Sequence, residues 1–346
     1  AGWARGVRQM TIHFTRRGLL GAGALLLTLP GCATMSADAA LTGFTHGVAS
    51  GDPRQNSVML WARYVPKVSG PARLRVEVAR DPAFASIAAT GEATATPDAD
   101  WCARVTAGSL PSGQWLYYRF TAPGGEVSAV GRTRTLPEAG VERFRIAVLG
   151  CSNGTSGWFN AYAHAAARDD IDLAVHTGDY IYESPVTRPD AAPGLAQQRG
   201  LAPAGEVVQL ADYRLRYASY RADPDLAELH RRLPMISVWD DHETANNSWK
   251  DGAAAHDPAI EGLWESRKAA GMRAYHEWLP MGDAWWDSYR IGDLATLFRL
   301  ETRLAGRDMQ LDDQLDAILA AGDSSVKSNL AAFRAGPLAD SARSMM

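Results

Sequence analysis

Three apolar runs in this chain each end in residues able to hold a metal ion. The runs are Arg145 to Gly150, Asp172 to Gly178 and Met235 to Trp239. Cys151 follows the first, Asp179 and Tyr182 the second, and Asp240, Asp241 and His242 the third. Each run reads as a buried strand. Side chains that follow successive strands converge at the carboxyl edge of an open α/β sheet, where such sheets place their sites. A soft thiolate beside hard oxygens points to two unlike metal ions rather than one.

Gly178-Asp179-Tyr180-Ile181-Tyr182 is the sharpest of the three segments. A carboxylate at Asp179 can bridge two cations with its two oxygens, and a phenolate at Tyr182 suits the harder ion. Gly178 lets the backbone turn tightly off the strand. The bland alternative makes Asp179 a turn cap and Tyr182 packing. In Asp240-Asp241-His242-Glu243, four ionisable residues in a row require partners if buried. One carboxylate can ligate, and His242 can hydrogen-bond an anionic oxygen or protonate a leaving group. Here the alternative is an acidic helix start. Cys151 could instead be a nucleophile with His176 or His242 as base. Acidic neighbours would raise its pKa, however, unless a cation is present. Asn246 is a candidate oxygen ligand, Asn247 a cap, and Asn153 a further carbonyl donor. His176 reads as a core histidine, and His46 and Asp52 as structural turn residues.

Positioning these residues takes more than one kind of element. Residues 41–136 read as a small β-sandwich, with alternating segments such as Ala72 to Ala79 and Leu116 to Thr121 between Gly/Pro turns. The stretch from Leu110 to Tyr117 resembles the tyrosine-corner region of a fibronectin type III sandwich. Residues 137–346 change to an α/β pattern. Helices are expected at 157–169, 211–221, 224–232 and 258–279, and paired strands at 285–290 and 294–301. The Pro/Ala/Gly/Gln-rich stretch 184–208 reads as a long loop over the site or a mobile lid.

Residues 1–40 read as a targeting segment. Arg16-Arg17 precedes the uncharged run Gly21 to Leu29, the pattern of a twin-arginine export signal. The run is too short to span a bilayer. Met10 opens a normal signal start, which places residues 1–9 upstream of it. Leu29-Pro30-Gly31-Cys32 resembles a lipoprotein cleavage box, with cleavage near Ala37 to Ala39 as the alternative. These features imply the twin-arginine translocase as a partner, a periplasmic or extracytoplasmic location, and membrane attachment only through a lipid on Cys32. A net charge of −4 gives no nucleic-acid-binding footprint. Cys102 reads as a buried thiol rather than a disulfide partner of Cys151.

Together these residues resemble the alkaline phosphatase D family of metallophosphoesterases, related to purple acid phosphatases. The likeness spans the twin-arginine signal, His46 to Pro53 with the sandwich, the three strand-end motifs to Asn247, and Gly292 to Arg303. It implies an α/β metallophosphoesterase domain behind a fibronectin type III-like sandwich. It also implies Asp179 as bridging carboxylate, Tyr182 as an iron(III) ligand, Cys151 where other relatives carry Asp, Asp241 as a ligand and His242 as a phosphate contact. The full expected metal set is Cys151, Asp179, Tyr182, Asp240, Asp241 and Asn246, with Asp241 and His242 serving catalysis. The implied cofactors are iron(III) and calcium or another divalent ion, and the implied chemistry is metal-activated hydroxide attack on a phosphomonoester or phosphodiester. Glu301 stands where the family has Asp. The family carries further His- and Asp-bearing metal motifs beyond this region, whereas no histidine follows His276, so the chain reads as the N-terminal part of such a domain. Competing readings are a phospholipase D-type phosphodiesterase acting on phospholipid, a non-catalytic surface lipoprotein, an inactive fragment and a cysteine hydrolase.

Overall fold

The structure, a computed structural model, describes residues 42–187 and 191–310; the export-signal reading of residues 1–40 lies outside them. The described residues open with seven strands: β1 (Gly43–Gly51), β2 (Val58–Val65), β3 (Ala72–Ala79), β4 (Ile87–Ala95), β5 (Cys102–Ala107), β6 (Trp115–Thr121) and β7 (Gly131–Arg134). Their alternation sets the layers. In β6, Leu116, Tyr118 and Phe120 are buried while their neighbours are half-buried. They pack with Val48, Leu60, Leu74 and Val76 between two sheets. One sheet has the order β4-β3-β6-β7, and the other holds β5-β2-β1.

The second sheet does not stop at β1. The α/β part supplies β8 (Ile146–Leu149), α1 (Asn160–Ala166), β9 (Leu173–His176), α2 (Leu195–Gln198), α3 (Leu210–Arg221), α4 (Pro224–Arg232) and β10 (Met235–Ser237). The three strands expected from sequence form here, parallel, in the order β10-β9-β8. β10 also pairs with β1 at Gly51, and Asp52 N–H donates to the Met235 carbonyl at 3.2 Å. One six-stranded sheet therefore crosses the change of pattern near residue 137.

β8 departs from the buried strand expected. It is an edge strand: Ile146 is 37% and Val148 68% exposed, while Ala147 and Leu149 pack against the core.

Beyond β10 come the short pair β11 (Ser248–Trp249) and β12 (Gly252–Ala253), then α5 (Pro258–Glu261), α6 (Trp264–Trp278), β13 (Asp287–Ile291) and β14 (Ala295–Arg299). The single helix expected over 258–279 is broken at Gly262, whose φ of 85° no helix accommodates. α6 then covers the crossing sheet: Trp61 donates its indole N–H to the Glu277 carbonyl, and Trp278 packs beside it. Among the described residues no helix is long and apolar enough to cross a membrane.

The loop expected over 184–208 is held from below. Arg216 on α3 is 1% exposed. Its guanidinium donates to five backbone carbonyls, those of Tyr182, Ser184, Ala202, Pro203 and Gly205. All five donors of the fork are thereby used, which anchors both ends of the loop to a helix.

Candidate metal centre

The strand order fixes which residue sits in the middle. β9 lies between β8 and β10, so the turn after β9 carries Asp179 between Cys151, after β8, and Asp241, after β10. Hydrogen bonds tie the three turns together. Cys151 N–H donates to the Gly178 carbonyl at 3.2 Å and Ser152 N–H to the Asp179 carbonyl at 2.8 Å. The buried Glu243 carboxylate accepts N–H bonds from Asp179 (3.2 Å), Tyr180 (2.6 Å) and Asp240 (2.8 Å). Burial and the neighbouring Asp179 charge push Glu243 up to about 8, against the pull of those donors.

The turns are tight. Gly178 has φ 107°, and a Cβ there would lie 2.5 Å from Cβ and N of Asp240. Cys151, Asp179 and Asn247 all hold left-handed φ values near 55°. Such values are uncommon outside glycine, more so for Cys than for Asp or Asn.

Asp179 is the focus of the cluster. Its Oδ2 accepts from the Cys151 thiol at 3.4 Å and from the Tyr182 hydroxyl at 3.1 Å. Its Oδ1 is buried without a hydrogen-bond partner, a costly state for a carboxylate oxygen. Ligand atoms of Asp179, Asp241 and His242 all lie within 4.8 Å of one another. Anions so placed oppose one another. Burial and the charges of Asp241 and Asp240 hold Asp179 above the usual carboxylate range, with His242 opposing. Partial burial and Asp179 push up the Cys151 thiol, and burial, Asp179 and Cys151 push up the Tyr182 phenol. A cation would favour the charged form of each of these groups, and an orphan carboxylate oxygen amid thiol, phenol and imidazole fits a metal-binding donor set.

The third turn divides its residues among different tasks. Asp241 Oδ2 accepts from Asn247 N–H at 2.7 Å. Although burial opposes it, that bond with His242 and Arg303 holds Asp241 low. Asp240 Oδ1 instead pairs with the Arg303 guanidinium. His242 Nδ1 bonds Glu183 at 2.6 Å, and its ring lies 4.1 Å from that of Tyr182. Burial lowers its pKa, but Glu183 and then Asp241 and Asp179 outweigh burial and lift it to about 9. Glu183 also accepts from Asn246 N–H at 2.7 Å, which places Asn246 at the margin of the cluster through its backbone. Asn153 Oδ1 accepts from its own turn, from Thr155 N–H and hydroxyl.

Sequence reasoning overlooked Glu183, which orients His242, and gave no role to Glu243. The available signal was an acidic residue directly after each motif, at Tyr182-Glu183 and His242-Glu243. Glu301 accepts from the Trp239 indole and from the N–H groups of Arg303, Leu304 and Ala305. It thereby shapes the turn that presents Arg303.

The remaining candidates lie in other surroundings. His176 is buried beneath the turns, with Ser152 and Tyr162 on its Nε2. Asp52 binds Arg54 and the Tyr289 hydroxyl, and His46 packs edge-on against Trp278. Cys102 and Cys151 are both free thiols, Cys102 buried and Cys151 exposed.

Comparison with known proteins identifies relatives of the chain. A model of PhoD-like phosphatase fits residues 146–346, and one of the PhoD-like phosphatase N-terminal domain fits residues 31–137. Alkaline phosphatase D of Bacillus subtilis (strain 168) is 36% identical over 249 residues, covering 69% of this chain and 41% of that protein. A solved structure of PhoD superposes with a TM-score of 0.70 at 31% identity, covering 80% of this chain and 55% of that one. The chain thus spans about half the length of these relatives. With the family model covering more than half of its residues, this chain belongs to the PhoD-like phosphatase family.

Proposed function

We propose that the chain carries the strand-end half of a metal-dependent phosphoric ester hydrolase of the alkaline phosphatase D type. The observation that carries this reading is Asp179, with one oxygen orphaned and buried and the other shared by Cys151 and Tyr182. Cys151, Tyr182 and Asp179 would hold iron(III), and the hard oxygens of Asp179 and Asp241 would hold calcium or another divalent ion. Once bound, such ions supply charge neutralisation at the phosphoryl oxygens and a nucleophile at neutral pH.

The chain's own groups do the positioning. Glu183 binds His242 at Nδ1 and leaves Nε2 facing away from that bond, able to donate to a phosphate oxygen. Arg303, anchored by Asp240, adds positive charge beside Asp241. Glu243 keeps the second and third turns at fixed separation. A metallophosphoesterase domain behind a fibronectin type III-like sandwich is the finer architecture that accompanies this reading.

The substrate class is a phosphomonoester or phosphodiester small molecule, with a phospholipid headgroup as the alternative on the same scaffold. The Arg16-Arg17 pair and Cys32 support a periplasmic or extracytoplasmic protein exported by the twin-arginine translocase, lipid-anchored if Cys32 is the mature terminus.

The test is hydrolysis of 4-nitrophenyl phosphate and bis(4-nitrophenyl) phosphate by the purified chain, with metal content analysed on the same sample. Bound iron with calcium, and turnover abolished by Asp179→Ala, is the expected result. Turnover that survives both chelation and Asp179→Ala refutes the proposal.

A further inference from the structure

A second cluster lies at the opposite edge of the sheet. α4 ends at Arg232 just before β10, and Asp169 precedes β9, so both belong to the amino ends of the parallel strands. There a cavity of about 460 Å³ opens between the sandwich and the α/β part. It is lined by Trp115, Tyr117, Arg132, Asp169, Arg231 and Arg232, with Pro82 and Val130 at its sides.

Its charge is unbalanced. Arg132 and Arg232 share the single carboxylate oxygen Oδ1 of Asp169, whose side chain is 82% exposed. Arg231 has its own partner in Glu228 and donates to the Val130 carbonyl. The nearby Arg134 is paired with Asp172. One positive charge is therefore left over among three guanidiniums. Two further features concern the pair of arginines that share Asp169. The Arg132 guanidinium stacks 3.5 Å above the Trp115 ring, which fixes its plane. Arg232 Nε is buried with no hydrogen-bond partner. Burial together with the Arg232 charge holds Arg132 below the usual guanidinium range. An under-neutralised arginine pair, with Arg132 held against the Trp115 ring, suits recognition of an oxyanion with the body of the ligand lying on the rings.

We propose that this cavity binds a small organic oxyanion, a ring compound bearing a phosphate or carboxylate group, which joins or displaces Asp169 between Arg132 and Arg232. The site is separate from the metal centre and its existence does not depend on the hydrolase reading.

The test is calorimetric titration of the full chain, treated with chelator so that the metal centre cannot hold anions. Phenylphosphonate, benzoate and inorganic phosphate are the probes. Phenylphosphonate or benzoate should bind at one site, and the stronger of the two identifies the head group. Arg132→Ala or Arg232→Ala should weaken binding at least about tenfold, the loss of one charge-assisted bond. Asp169→Asn, an exposed change that leaves folding intact, should tighten it about threefold or more by removing the internal competitor. A merely structural Asp169 would give no tightening. Absence of binding by any probe overturns the proposal, as does affinity unchanged in Arg132→Ala and Asp169→Asn. Binding of inorganic phosphate alone would overturn the ring-compound assignment.

Discussion

Replacing Arg216 by lysine tests whether one buried side chain holds the loop beside the metal centre. The guanidinium makes five hydrogen bonds, at 2.8 to 3.2 Å for the four to Ala202, Ser184, Pro203 and Gly205, plus the one to Tyr182. An ammonium has three donors radiating from one atom. At least two of the five carbonyls then lose the guanidinium donor in a buried setting, each at a cost of about 1–3 kcal/mol. The expected loss is about 3–4 kcal/mol, or a fall in Tm of about 6–8 °C at roughly 2 °C per kcal/mol for a chain of this size. Tyr182 and Glu183 stand at the first anchor, so metal content should fall together with stability. Scanning calorimetry, metal analysis and limited proteolysis of the 184–208 loop read all three effects. A Tm within about 1 °C of the parent with no new cleavage in the loop would refute the clamp: other contacts or water would then be satisfying those carbonyls.

Gly178→Ala should cost at least about 3 kcal/mol through left-handed strain and backbone collision with Asp240; an unchanged urea midpoint would contradict the geometry. Acid should destabilise the fold through its buried histidines. Burial, with Arg63 and Arg221 nearby, lowers His46 to about 3, and burial lowers His176 to about 3. The native state therefore resists protons that the unfolded chain accepts near pH 6.5. This stability is complete above that pH and is lost as pH falls toward 3. His46→Asn, which tolerates the φ of 62°, should recover about 3 kcal/mol of the loss at pH 4; parallel stability curves for the two proteins would exclude His46 as a contributor. A thiol reagent should modify Cys151 faster than Cys102, since Cys151 is exposed while burial shields the Cys102 thiol and pushes it far up. Added iron should protect Cys151. Protection by metal also separates a ligand from a cysteine nucleophile, whose modification chelators would not mimic.

The strand-end placement was legible in the sequence because it rests on local signals: an apolar run, a glycine and a polar residue at the turn. α4 was legible for the same reason, with Asp223 as cap and Pro224 in the first turn. Distant pairings were not legible. Asp240 and Asp241 look alike in the sequence, which does not announce that Arg303, 63 residues onward, pairs with one oxygen of Asp240. Nothing local announces that Gly51 will pair with Met235 and carry a sandwich sheet into the α/β layer. Glu183 and Glu243 were legible as acidic residues but not in their tasks, because both act on groups from a different turn. The break at Gly262 was available in the sequence, but the apolar pattern on either side masked it.

The turns after β8, β9 and β10 combine several unfavourable features. Cys151 and Asp179, two non-glycine residues in left-handed conformation, stand in the turns after β8 and β9, and Asn247, a third, lies farther along just before β11. The same few residues crowd acidic groups together and leave an Asp179 oxygen unpaired. Backbone strain, like-charge repulsion and an orphan acceptor each cost on the order of 1–3 kcal/mol. A fold keeps such costs only where surrounding contacts over-determine the geometry. Here Glu243 accepts three N–H groups from two turns, and the Cys151 and Ser152 N–H groups join the remaining turn. None of these bonds uses the atoms that would face a cation. The scaffold thus spends its hydrogen bonds on the backbone and leaves the donor atoms of Asp179 and its neighbours crowded and under-satisfied, the arrangement expected of a centre preorganised for positive charge.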